Sequence, residues 1–197
     1  FVLGGLIFLA LAVTSFTSYW QSQVIAEQKV MELELSKFSV LKHEIKVALS
    51  GHHNNLLSLH DVPPVAAILR AKAHNGFDPI SGDSLNEWNA RLITIFKAFM
   101  QNHSQYFQIR YIDAAGNELV RIEKGAGDES LVADETQLQN KADSDYVRET
   151  LKLQPGQTYY SNVSLNREHG IIQVPHVPVL RIATPIHDAE NKVAALI

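Results

Sequence analysis

From Phe1 to Ala26 the chain carries no charged side chain, and FVLGGLIFLALAV runs into TSFTSYW with Tyr19 and Trp20 at its polar end. A helix needs about 20 largely apolar residues to cross a bilayer core, and Tyr and Trp gather where that core meets water. Residues 1–20 are therefore expected to form a transmembrane helix. A cleaved secretory signal, with Ala10 and Ala12 as the small residues of its cleavage site, is the competing reading. A helix buried in a soluble core is a third. The start at Phe1 and the stop at Ile197 inside an apolar run read as the bounds of a segment of a longer protein.

After Trp20 the pattern turns charged and helical, with no Pro or Gly before Gly51. Val24, Met31, Phe38 and Ile45 recur every seven residues, with Leu35, Leu41 and Leu49 alongside, which draws one apolar stripe on a long helix. A seven-residue repeat offers a seam to a second copy, so residues 21–50 are expected to form a stalk helix of a homodimer. The alternative is that the stripe packs on the chain's own domain. Val62-Pro63-Pro64 forces a break, and Val65 to Ala73 resumes helical spacing. Ser84-Leu85-Asn86-Glu87 is a capping box that opens another helix, running to about Asn102.

At Tyr106 the period becomes that of strands. YFQIRYID, a DAAGN turn with Gly116 and then ELVRIE make a hairpin over residues 106–123. A polar connection leads to a short helix, DSDYVRETLKL, stopped by Pro155-Gly156. TYYSNVSL is the expected third strand and VPVLRIATPI the fourth; HDAEN places Asn191 where the first turn has glycine, and VAALI begins the fifth. The fold class is α+β: a long N-terminal helix and an antiparallel sheet of about five strands flanked by helices.

Composition removes several function classes. The net charge is −4 and the seventeen basic residues are scattered, so no basic stripe suits a nucleic-acid backbone. The absence of cysteine removes disulfides, thiolate metal sites and thiol nucleophiles. Nine histidines invite a metal reading, yet His52, His53 and His60, or His169, His176 and His187, match no zinc spacing, and neither a nucleophile elbow nor a phosphate loop is present. No metal, cofactor or catalytic residue is expected.

The order of elements and several stretches resemble the PAS-like extracytoplasmic sensor domains called PDC or Cache, as found in tandem in bacterial histidine kinases and diguanylate cyclases. The stretches are Gln108 to Asp113 through Gly116 to Arg121, Leu138 to Lys141, Pro155 to Ser161, Leu165 to Gly170, and Pro178 to Ile186. The resemblance covers residues 106–197. It implies that residues 51–197 form a membrane-distal sensor module cut at its last strand, with a pocket on one face of the sheet. A second module, a second span and a cytoplasmic output domain would follow, and residues after about 20 would lie outside the cell membrane.

Alternation puts Val179, Arg181 and Ala183 on one face of the fourth strand, and Tyr159, Ser161 and Val163 on one face of the third. An arginine flanked by apolar residues needs an acceptor, which the carboxylate of a small-molecule ligand would supply. The competing account is an internal partner: Asp, Glu or a backbone carbonyl. Arg181, Tyr159, Tyr146, Ser161, Arg121 and Asp188 are the candidate ligand-binding residues, with Tyr111 and Arg148 weaker. The arginine followed closely by Trp and Tyr that marks amino-acid-binding Cache receptors is absent. The leading reading is a membrane-anchored small-molecule sensor; a ligand-free dimerisation ectodomain and a secreted enzyme are the alternatives.

Overall fold

The computed structural model describes the backbone of residues 2–125, 127 and 129–197, and their side chains except at residues 2 and 6–10. The chain divides into two compact units, Phe1–Ser50 and Gly51–Ile197. Helix α1 (Val2–His60) is continuous over 59 residues. Gly51 sits inside the helix, where a single glycine costs only about 1 kcal/mol against alanine. In the first unit Val24, Met31, Phe38 and Ile45 are all exposed. The centre of the apolar run, residues 6–10, lies outside the described side chains, and among the described residues no helix is long and apolar enough to cross a membrane.

In the second unit, α2 (Pro63–Ala73) begins on the paired prolines, which lack the donor that a first helical turn leaves unused. Helix α3 (Leu85–Asn102) opens on the reciprocal capping box of Ser84 and Glu87. Between them Asp78, buried, accepts two hydrogen bonds from Arg70 at 2.7 and 2.9 Å. Those bonds hold the Asp78 carboxyl well below the usual range.

The main sheet contains β1 (Gln108–Asp113), β2 (Glu118–Lys124) and β3 (Ser130–Val132). A second helical layer comes from α4 (Asp145–Thr150). Short strands follow: β4 (Tyr159–Tyr160), β5 (Ser164–Leu165), β6 (Arg167–Glu168), β7 (Ile171–Ile172), β8 (Pro178–Val179) and β9 (Ile182–Ala183). The last two are β10 (Pro185–His187) and β11 (Val193–Leu196). The five-stranded antiparallel sheet has the order β10-β11-β1-β2-β3.

Two strand expectations need correction. TYYSNVSL splits into β4 and β5, and VPVLRIATPI into β8, β9 and β10, of which only β10 joins the sheet. The remainder forms a folded-back arm in which β4 pairs with β9, β5 with β8 and β6 with β7. His169 and Gly170, both at positive φ, make its two-residue turn, the geometry that matches strand twist. Strand β3 lies in what the sequence offers only as polar connection; it is a three-residue edge piece with Leu131 and Val132 exposed. Gly116 and Asn191 occupy their turns at positive φ as expected.

Leu56, Ile68, Leu92 and Phe96 from the helices pack on Ile109, Tyr111, Val120 and Ile122 of the sheet. The Tyr111 hydroxyl donates to the Val65 carbonyl at 3.0 Å, tying β1 to α2. On the other face Ile112, Leu196 and Ala183 meet Val147 of α4, so helices lie on both faces.

Candidate functional site

Alternation along β1 sends Ile109 and Tyr111 to the helical core and leaves Gln108 and Arg110 on the α4 side. On β2, Arg110 stands directly opposite Arg121, and Gln108 opposite Glu123. A bulge between Tyr111 and Ile112 brings Ile112 opposite Glu118, so that Leu119 stays with the helical core and Glu118 turns to the arginine face. Two like charges across a strand pair repel. Glu118 offsets that repulsion: its fully buried carboxylate lies 3.1 Å from Arg110 Nε and 3.2 Å from Arg121 Nη1. The first contact has ion-pair distance without hydrogen-bond geometry, because neither Arg110 Nε nor Glu118 Oε1 completes a hydrogen bond.

The arm supplies a second carboxylate. Glu168 on β6 accepts from Arg110 Nη2 at 2.7 Å and from Gln139 at 2.7 Å, and its ion pairs with Lys141 and Arg121 measure 3.4 and 3.7 Å. Burial alone would raise its carboxyl pKa, but Arg110 and Lys141, with the amides of Gln108 and Gln139, lower it to about 2. Burial works against the charge of Arg110 as well, and Tyr146, Glu118 and Glu168 outweigh it, so the guanidinium stays charged. Glu168 thus anchors the arm to the central strand.

Arg181 follows β8 on the same arm. Its Nη1 donates to Ser164 Oγ at 2.9 Å and its Nη2 to Asn166 Oδ1 at 3.3 Å, and the guanidinium lies 5.7 Å from the centre of the Tyr146 ring. Among the described residues no carboxylate pairs with it. Burial and then Arg110 act to lower its pKa, against Tyr146 and Glu168. The Tyr146 hydroxyl accepts from Arg110 Nη1 at 3.0 Å, and burial raises its pKa, so the phenol keeps its proton. A guanidinium has five N–H donors. Arg181 uses two of them in the contacts above, which leaves donors for an anion.

Two cavities meet at this point. One, of about 300 Å³, is walled mainly by apolar side chains of α1, α3, β1, the arm and β11. The other, of about 1080 Å³, lies between α4, the connection before it and the arm, and most of its lining residues are polar. Arg110, Tyr146 and Arg181 line both.

Of the residues singled out in the sequence, Arg181, Tyr159, Tyr146 and Ser161 all line the polar cavity. The Ser161 hydroxyl is engaged with the Arg181 backbone N–H and the Asn162 carbonyl. Arg121 lies outside both linings, buried among Glu118, Glu123 and Glu168. Asp188 shapes the β10–β11 turn by accepting from the backbone N–H groups of Glu190 and Lys192. Tyr111 points to the helical core, and Arg148 pairs locally with Asp145. Sequence reasoning overlooked Arg110, Glu168, Asn166, Lys141 and Gln139. Arg110 carried the same signal as Arg181, an arginine between apolar residues in a strand. Glu168 carried none, because its role depends on how the arm folds back. Among the described residues no group of three or more His, Cys, Asp or Glu could hold a metal ion.

The crystal structure of the extracellular domain of a protein described as histidine kinase vpHK1S-Z8 superposes with a TM-score of 0.61 at 21% identity, over 78% of this chain and 50% of that one. A domain of a sensory box/GGDEF family protein from Vibrio parahaemolyticus gives 0.61 at 22% identity, over 78% and 52%. At these identities the likeness establishes the fold. The chain spans about half the length of these solved chains, and no curated protein matches it. Residues 77–197, more than half of the chain, match the family described as the sensor domain of bacterial histidine kinases. By that match the chain belongs to the bacterial histidine kinase sensor-domain family.

Proposed function

We propose that this chain is the extracytoplasmic small-molecule-sensing region of a membrane-anchored receptor, and that its ligand presents a carboxylate to Arg181. Residues 1–20 anchor it, residues after about 20 lie outside the membrane, and the apolar stripe of α1 pairs with a second copy. Occupancy of the module biases a cytoplasmic output domain of the histidine kinase or diguanylate cyclase type. The family match and the printed descriptions of the solved neighbours, an extracellular histidine kinase domain and a sensory box/GGDEF protein, support this reading.

The observation that carries it is Arg181 itself: half-buried where two cavities meet, and hydrogen-bonded through its side chain to neutral oxygens. A carboxylate there would gain charge-assisted hydrogen bonds from the guanidinium and one from the Tyr146 hydroxyl, whose oxygen accepts from Arg110 while its proton is available. Signalling further requires two states of the receptor that the ligand binds unequally. A thermal-shift screen of the full chain against carboxylates, amines and sugars tests the ligand class, since a binder of the folded state raises the melting temperature by mass action. Stabilisation by carboxylates alone is the expected result; stabilisation by amines or sugars and not by carboxylates would refute it.

A further inference from the structure

The two cavities differ in character and share Arg110, Tyr146 and Arg181 in their linings. Resting on the reading that Arg181 receives a carboxylate, we infer that the ligand is an amphipathic carboxylate, with its head at Arg181 and Tyr146 and an apolar tail in the smaller cavity. That cavity is walled on one side by Leu56, Leu59 and Phe99 and on the other by Val179, Ile182 and Leu196. Its volume of about 300 Å³ is at the low end for small-molecule sites, which fits a short tail. At its helical end the polar groups satisfy one another: the Tyr106 hydroxyl meets His52 Nδ1 at 2.9 Å and Asn55 Nδ2 at 3.0 Å. A tail entering there would displace water from apolar walls without stripping the Tyr106 hydroxyl of its partners. A small polar dicarboxylate reaching into that cavity would instead place its second charge against leucine and valine.

The arrangement also gives the ligand a mechanical purchase. The tail would touch α1 and α3 on one wall and the arm on the other, while the head contacts Arg181, which reaches Glu168 through Asn166 at 3.3 and 3.2 Å.

The test is isothermal titration of the full chain in lipid nanodiscs, with empty nanodiscs as blank, against straight-chain carboxylates from propanoate to decanoate and against succinate. Affinity is expected to rise about threefold to fourfold per methylene until the cavity is full, and then to level off. Val179→Phe and, independently, Phe99→Trp narrow the cavity from opposite walls. Each is expected to reduce long-chain binding to the level of propanoate while leaving propanoate within about twofold of wild type, with circular dichroism confirming the fold. Carboxylates that bind through Arg181 with no gain from added methylenes, or a gain that both cavity-filling variants retain, would overturn the inference and leave the carboxylate reading standing. No binding by any carboxylate would overturn both.

Discussion

Glu168 Oε1 on the arm and Arg110 Nη2 on the central strand meet at 2.7 Å, 58 residues apart in sequence, and this contact fixes the polar cavity's outer wall to its floor. The Glu168 side chain is only 22% exposed, so water screens the pair weakly. Removing its charge with Glu168→Gln leaves Arg110, Arg121 and Lys141 with Glu118 and Glu123 as their remaining carboxylates. The variant should lose about 2 kcal/mol of stability at pH 7, measured by urea unfolding.

The same carboxyl sets an acid limb. Its pKa is lowered to about 2 in the folded chain from an ordinary 4.5. A depressed carboxyl contributes stability in full above its unfolded pKa, and that contribution fades as pH falls from about 4.5 towards 2. Wild type should therefore lose stability across that window, and the difference between wild type and Glu168→Gln should shrink there. Unfolding midpoints at pH 7, 4.5 and 2.5 check both statements.

Backbone conformation gives a paired prediction. Gly116 has φ +86° and a Cβ added there would lie 2.5 Å from the Ala142 backbone nitrogen, whereas Gly156 has φ +78° and open space around it. Gly116→Ala should cost about 2–4 kcal/mol from strain and collision together. Gly156→Ala should cost only about 1 kcal/mol, from backbone strain alone. Equal costs in chemical denaturation would contradict the packing of the connection before α4 against the hairpin turn.

Tyr111→Phe removes the hydroxyl that ties β1 to α2 and keeps the ring that fills the core. A loss of about 1 kcal/mol is expected from this one hydrogen bond. Ligand affinity should not change, because Tyr111 lines neither cavity.

For the stalk, Phe38→Cys lies on the seven-residue stripe and Ser36→Cys away from it, both exposed on α1. If α1 pairs with a second copy along that stripe, mild oxidation should give a disulfide-linked dimer from Phe38→Cys and little from Ser36→Cys. Non-reducing electrophoresis reads the outcome directly.

The sequence made some parts of this molecule legible and not others, for physical reasons. The capping box at Ser84, the break at Pro63 and the positive-φ turns at Gly116 and Asn191 are local devices, and each sits where the residues place it. Strand boundaries in the arm are not legible because TYYSNVSL and VPVLRIATPI each have strand composition along their length, while their pairing breaks around irregular stretches such as 161–163. Glu118 could not be assigned to a face by alternation, since the bulge at Tyr111/Ile112 reverses it. Arg181 was legible as a strand arginine in apolar company. Its neighbours Asn166 and Glu168 were not, because only the fold-back of the arm brings them to it.

Ligand capture turns on the Arg181 guanidinium, and Arg181→Gln isolates its charge. The Ser164 and Asn166 side chains can still hydrogen-bond to an amide, so the arm should stay folded. Titrating wild type and variant with the carboxylate that gives the largest thermal shift should show at least a tenfold loss of affinity in Arg181→Gln, with melting temperature in the absence of ligand nearly unchanged. Undiminished carboxylate binding by a folded Arg181→Gln variant would contradict the assignment of this site.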